Sequence, residues 1–421
     1  MAIRLHNGEG LRRARCDHGN SLADRRLCAD TSHVDPLPPT TVPSNAPARL
    51  WSLDALRGLC ALVVFLSHWH LWSSFPPQGV FESALHSVLN FIHHTVDAVT
   101  WPTGGHHPAV IAFFVLSGFC VHYPFERRML AGEAAPRWHD YFFRRFRRIV
   151  PVYWTACVLG LIFVGAEALR PTGHPLLHLH ALSSVEDLVV RFTGIAALYP
   201  KEIFAGNYIL ITVAAEIAIY VVYPLFYRFA RRGKWRTLGL TFLGLHLASV
   251  FALAFVTPYW VFNSVFMLGI FWFAGAWAAH RFLTNQPNVK LIAVLAAWAV
   301  FLALKLTPSF YGLNLLKQAA WGLVCTFGLL WVLGWERRRP AVRHAPTVTA
   351  LRWCGEISYS LYALHTPAIM LTTWALLHLG WTNSLLQLAT TMGSSIIVVL
   401  LVHHGIERRF YTSRPEAPPS T

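Results

Sequence analysis

The sequence predicts an all-α fold, a polytopic transmembrane bundle of about ten helices, and three observations carry that expectation. Hydrophobic residues make up 55% of the 421 positions and charged residues only 13%, a composition suited to lipid as solvent. The apolar residues come in long blocks, most of them near the ~20 residues that cross a bilayer core, rather than at amphipathic spacing. Basic residues gather between alternate blocks, as the charge rule for inward-facing loops requires.

In chain order, residues 1–49 hold seven arginines, five prolines and no apolar run. They cannot bury enough surface to fold alone and read as a disordered, basic cytosolic tail. No apolar stretch of signal-peptide length precedes Leu50. Ten candidate spans follow: 53–73, 109–125, 149–169, 208–229, 238–256, 259–279, 291–306, 315–333, 357–379 and 384–406. Residues 81–101 are interrupted by Glu82, His86, His93, His94 and Asp97, so they read as an interfacial or re-entrant segment rather than an eleventh span. With both termini cytosolic, 30 of the 35 Lys and Arg residues fall on the cytosolic side. An eleventh span would destroy that asymmetry. The expected organisation is therefore a tail (1–49), one membrane domain (50–410) and a short cytosolic tail (411–421), in a multi-pass protein of the inner (plasma) membrane.

The formal charge of +15 does not point to nucleic acid, because the basic residues sit between hydrophobic spans and not on one soluble face. The seven cysteines form no Cys-x-x-Cys pair and read as small core residues. No metal site is expected: the histidines of the 74–107 loop lack carboxylate-supported ligand spacing. With their aromatic neighbours they suit stacking against sugar rings.

An ionisable group inside a span costs about 2.5–3.5 kcal/mol on insertion scales, so such residues face the bundle interior and usually have a task. Arg57 and His68 in the first span are eleven residues apart, which places them on one helix face roughly 16 Å apart. A basic group near the cytosol would then hold the phosphates of a thioester donor, with an imidazole deeper in the membrane as base. The plainer alternative makes Arg57 a boundary residue and His68 a satisfied core histidine. Ser117 and Gly118 allow close helix approach. Arg144, Arg145, Arg147 and Arg148 stand at the mouth of the third span, where guanidinium forks suit phosphate oxygens or anionic lipid. Glu216 lies about 12 Å into the fourth span and needs a partner, either a histidine, an acceptor hydroxyl or a structural cation. Ser358, Tyr359, Ser360, Tyr362 and His365 form a polar string in the ninth span.

In this order the segments resemble the acyltransferase-3 family of integral membrane acyltransferases. The resemblance runs from about Leu50 to Phe410. It rests on Ser52-Leu53-Asp54-Ala55-Leu56-Arg57-Gly58 with His68 eleven residues after Arg57, on Phe113-Phe114-x-x-Ser117-Gly118, and on Arg145-x-x-Arg148-Ile149-x-Pro151. Glu216 with Tyr220 and Pro224, the string 358–365, and Ile406-Glu407 complete it. At 211–216 this chain has Ile-Thr-Val-Ala-Ala-Glu where the family usually has Trp-Ser-Leu-x-x-Glu. The resemblance implies transfer of an acyl group, most often acetyl, from cytosolic acyl-CoA to hydroxyls of cell-envelope polysaccharide, lipid-linked sugars or related acceptors. It implies acyl-CoA as a donor substrate with no tightly bound cofactor. By motif position, His68 and Glu216 would be catalytic, and Arg57, Arg145, Arg148 and Ser117 would serve the donor. Only 15 residues follow the last span, so any final transfer beyond the membrane is expected to need a separate extracytoplasmic protein. A transporter or flippase of a sugar or acyl compound is the alternative class. It would also place His, Glu and Arg inside the bundle, but no internal repeat supports it.

Overall fold

A computed structural model describes residues 50–68, 75, 77–101, 106–175, 177–178, 185–195, 206–255, 261–284, 289–308 and 311–411. Every regular element among them is helical. In chain order these are α1 (Trp51–Ser67), α2 (Val80–Thr100), α3 (Pro108–Leu130), α4 (Trp138–Leu169), α5 (Val185–Thr193), α6 (Leu210–Arg231), α7 (Trp235–Phe255), α8 (Val261–Thr284), α9 (Leu291–Lys305), α10 (Tyr311–Arg338), α11 (Pro346–Glu356), α12 (Ser358–His378) and α13 (Ser384–Val402). A π-helical turn, His403–Glu407, leads into the short α14, Arg408–Tyr411. The segment 1–49, read as a basic tail, lies outside the described residues.

Six stretches, Pro108–Leu130, Trp138–Leu169, Leu210–Arg231, Val265–Thr284, Leu313–Arg338 and Ser384–Phe410, are long and apolar enough to cross a membrane. Three of the other predicted spans fall on helices that miss this description for identifiable reasons. α1 has 17 residues and ends at Ser67, and α9 has 15. α12 has the length but carries Ser, Thr, Tyr and His along its course; 14 of its 21 residues are buried in protein, so lipid does not dictate their polarity.

The helix ends obey simple electrostatics. Glu336 of α10 accepts the Trp51 N–H at 3.0 Å, the Ser52 N–H at 3.3 Å and the Ser52 hydroxyl. It thereby caps a helix whose N-cap residue, Leu50, offers no side-chain hydrogen bond, and adds an anion to Asp54 of the first turn; such a pairing contributes about 0.3–1 kcal/mol, and up to ~2 when partly buried. Arg127 and Arg128, Arg228 and Arg231, and Arg337 and Arg338 occupy the last turns of α3, α6 and α10, where cations oppose the negative end of the helix dipole. The three helices end on the same side of the bundle, so one end is arginine-rich.

Two crossings bring backbones into contact. A Cβ on Gly118 of α3 would stand 1.9 Å from the Trp272 carbonyl oxygen of α8, and one on Gly275 of α8 would stand 1.9 Å from the Val115 carbonyl oxygen of α3. Gly58 of α1 and Gly355 of α11 make a similar reciprocal contact, at 2.0 Å to Leu351 O and 1.9 Å to Asp54 O. Small residues set such approaches in membranes, where lipid tails are as apolar as the side chains they touch.

The 81–101 segment is helical up to Thr100 as α2, and both its ends attach to the same end of the bundle. Asn383 and Ser384, at the head of α13, donate to the Glu82 carboxylate at 2.6 and 3.0 Å. At the other end of α2, the Trp298 indole donates to Val99 O at 3.0 Å and the Lys305 ammonium donates to Asp97 O. The backbone N–H of Gln78 holds the Glu82 carboxyl below its usual range; burial opposes the shift, and Asn383 and Ser384 add to it. Phe81, Val88, Phe91, Ile92 and Val96 are exposed, while Glu82, His93 and Asp97 turn inward. An amphipathic helix lying along an interface has this pattern.

Candidate active site

Two cavities meet inside the bundle. The first, of about 100 Å³, is lined by Arg57 of α1, Ser117 of α3, Arg145 and Arg148 of α4, and Glu216 and Tyr220 of α6, with Ser358 and Tyr362 of α12. The second, of about 720 Å³, is lined by His68, His93, Asp97, Trp101, His107, Tyr208 and Lys305 among others. Val110, Thr212 and Tyr362 line both. Arg57 thus stands on α1 and His68 at its C-cap, and each serves a different cavity. Eleven residues turn the helix by three turns and about 20°, so the two side chains emerge from one face at different depths.

In the basic cavity, Ser358 donates to Gly355 O at 2.8 Å and so accepts from the Arg57 guanidinium at 3.2 Å. Arg145 lies 5.0 Å from the Tyr220 ring centroid and 5.7 Å from that of Tyr141, within cation–π range. Ser117 donates to Glu216 Oε1 at 2.5 Å, and the Tyr220 hydroxyl donates to the same oxygen. Glu216 therefore fixes the aromatic ring on which Arg145 rests. The structure brings Arg57, Ser117, Arg145, Arg148 and Glu216 together, but it puts Glu216 with the arginines and not beside His68. Its observed partners are the Ser117 and Tyr220 hydroxyls; among the described residues neither a histidine nor a cation is bonded to it.

His68 follows the last turn of α1 at φ −84°, ψ −7°. Its Nδ1 is 2.8 Å from Val64 O and 3.3 Å from His365 Nε2, and its Nε2 is 2.5 Å from the Tyr208 hydroxyl. His365 Nδ1 is 2.8 Å from Leu361 O. A carbonyl oxygen only accepts, so each Nδ1 carries the proton and each Nε2 carries a lone pair. His68 Nδ1–H is then shared between Val64 O and the His365 lone pair, and Tyr208 donates to His68 Nε2. The atom directed to the cavity side is basic. At the N-terminus of α3, His107 Nδ1 accepts the Ala109 N–H at 3.2 Å, which requires an unprotonated nitrogen. Consistent with this, burial pushes the His107 imidazole down to about 3, with His68 and His93 adding.

His93 and Asp97, on the polar face of α2, are 3.3 Å apart with side chains 23% and 32% exposed, so the larger cavity reaches the surface beside them. Of the loop histidines considered for sugar stacking, His93, His106 and His107 line this cavity. Among the described residues no group of three or more His, Cys, Asp or Glu is placed to hold a metal ion, and Cys60, Cys120, Cys157, Cys325 and Cys354 are free thiols.

Tyr208 and His365 were not singled out at the sequence level as partners of His68. One signal was available: Ser358, Tyr362 and His365 are at i, i+4 and i+7, one face of α12, and that face runs beside α1 from Arg57 to His68. Tyr208 precedes α6 in a turn, and nothing in the sequence marks it.

Fold and site together define a polytopic membrane protein with a basic cavity and an imidazole pair joined along one helix. The chain belongs to the acyltransferase-3 family, whose acyltransferase domain matches residues 50–404. Acyltransferase MdmB of Streptomyces mycarofaciens is 29% identical over 213 residues, covering 50% of this chain and 47% of that protein. The chain thus aligns with about half the length of this relative. No solved structure matches the chain.

Proposed function

We propose that the chain is a membrane-bound O-acyltransferase that moves an acyl group, most simply acetyl, from acyl-CoA to a hydroxyl of a cell-envelope polysaccharide, a lipid-linked sugar or a related acceptor. The observation that carries the reading is the placement of Arg57 and His68 on one helix face, each opening into one of two cavities that share a wall. The arginine-rich end faces the cytosol, where acyl-CoA is made. Arg57, Arg145 and Arg148 hold polar groups of the donor's acyl end, and the nucleotide with its phosphates rests on Arg144 and Arg147 at the mouth. A cavity of about 100 Å³ accommodates only the acyl end of the donor, which favours a short acyl chain.

In the reaction, His68 Nε2 takes the acceptor hydroxyl proton as the acceptor oxygen attacks the thioester carbonyl carbon. The C–S bond then breaks, and the CoA thiolate receives the proton from the imidazolium. Val64 O and His365 Nε2 stabilise that imidazolium through Nδ1–H. Tyr208, now on Nε2, marks where an acceptor hydroxyl would sit and must turn aside to admit it. Glu216 acts by holding Tyr220 and Ser117, not by touching the reacting atoms.

The test compares acyl-CoA consumption by purified protein in membranes with that of His68→Ala, after both are shown to insert and fold. General base removal is expected to lower turnover by about 10²–10⁴-fold. Equal turnover would remove His68 from the mechanism. Movement of an intact substrate across a vesicle membrane without thioester cleavage would favour a transporter instead.

A further inference from the structure

The two cavities are separated by very little. Thr212 of α6 donates its one hydroxyl proton to Ile209 O at 2.8 Å, so the 2.6 Å contact between Thr212 Oγ1 and the Tyr362 hydroxyl is a bond that Tyr362 donates. Phe113 packs edge-on against the Tyr362 ring, centroids 5.6 Å apart. With Val110, these groups close the boundary between the arginines and His68. The donor side is small and the other side is large and reaches the surface beside His93 and Asp97. For acyl transfer the thioester must come within reach of His68 Nε2, so the boundary must open during turnover.

We propose that the Thr212–Tyr362 hydrogen bond is a latch between donor and acceptor cavities, and that these two residues determine whether the thioester meets an acceptor hydroxyl or water. This rests on the acyl-transfer reading above. In the closed state the thioester is kept from water in the larger cavity. Occupancy of that cavity by the acceptor displaces the water before the latch opens. If the latch opens too early, water takes the acceptor's place. The water oxygen bonds to the carbonyl carbon, its proton passes to His68 Nε2 and on to the CoA thiolate, the C–S bond breaks, and a free carboxylic acid and CoA are released. Neither Thr212 nor Tyr362 bonds to His68, so their effect is on access and not on its basicity.

The latch can be removed while the shape of both side chains is kept. Thr212→Val/Tyr362→Phe deletes donor and acceptor together, and Ile209 O, which loses the Thr212 hydroxyl, keeps the backbone N–H of residue 212 at 3.2 Å, so the change leaves a protein nearly as stable as before. One hydrogen bond of ordinary net strength shifts an open–closed equilibrium on the order of fivefold. The experiment follows release of labelled acetate from acetyl-CoA by the purified full chain in liposomes without acceptor, alongside binding of acetyl-CoA.

The expected result is hydrolysis raised roughly fivefold in the double variant, with acetyl-CoA still bound and the excess abolished when His68→Ala is added. Tyr362→Phe alone, which removes a single oxygen, is expected to move in the same direction. Unchanged or reduced hydrolysis in a folded variant that still binds acetyl-CoA overturns the latch and leaves the donor site standing. A native chain that neither binds nor cleaves acetyl-CoA overturns the transfer reading and the latch with it.

Discussion

α12 and α13 are neighbours of similar length that pack against each other, yet they are built on opposite rules. In α13 the apolar stretch is strongly hydrophobic and only 28% of it is buried in protein; Ile396, Ile397 and Leu401 point outward. In α12, Ser358, Ser360, Tyr362, His365 and Thr366 are all buried. A helix in lipid must be apolar where lipid touches it, and it is free to be polar where protein surrounds it. Hydropathy therefore finds α13 easily and undervalues α12, although α12 carries the partners of Arg57 and His68. Of these two helices, the more apolar one faces outward and the more polar one faces the site.

Three substitutions test that contrast. The largest effect is expected from His365→Ala, which removes one of the two acceptors of His68 Nδ1–H and leaves Val64 O. A hydrogen bond to a charged group is worth about 1.5–3 kcal/mol, so kcat should fall about 10- to 100-fold with the KM for acyl-CoA little changed, and the pH profile should shift as His68 becomes less basic. An effect on KM alone would move His365 out of the proton path. A smaller effect is expected from Ser360→Ala. Ser360 donates to Glu407 at 2.6 Å, but Glu407 keeps His403 at 2.8 Å, so the loss should be about 1 kcal/mol of stability, read from thermal unfolding in detergent, with kcat intact. The smallest comes from Ile397→Ala on the exposed face of α13, expected to stay within about 0.5 kcal/mol and to leave turnover unchanged. If the α13 change costs more than the α12 changes, the contrast fails.

Much of the site could be read along single helices. The spacing of Arg57 and His68 predicts their common face, because helical periodicity is a local property. The same holds for the arginines that open α4, for Gly118, which meets α8 as its size allows, and for the polar residues that kept 81–101 from being read as a span. Glu216 shows where that reading stops. Its depth in α6 and its need for a partner were legible, but its choice of Ser117 and Tyr220 over an imidazole was not.

The sequence by itself determined the membrane class of the chain, the approximate course of its helices, the arginine-rich end and the one-helix line from Arg57 to His68. All of these follow from composition and a 3.6-residue period. Only the tertiary structure decided that His68 meets Tyr208 and His365, 140 and 297 residues away, and that Thr212 and Tyr362 stand between two cavities. In lipid no hydrophobic drive selects which helix neighbours which; the choice rests on shape, glycine contacts such as Gly118 with Trp272, and interhelical hydrogen bonds. Those depend on pairs of surfaces that are far apart in the sequence.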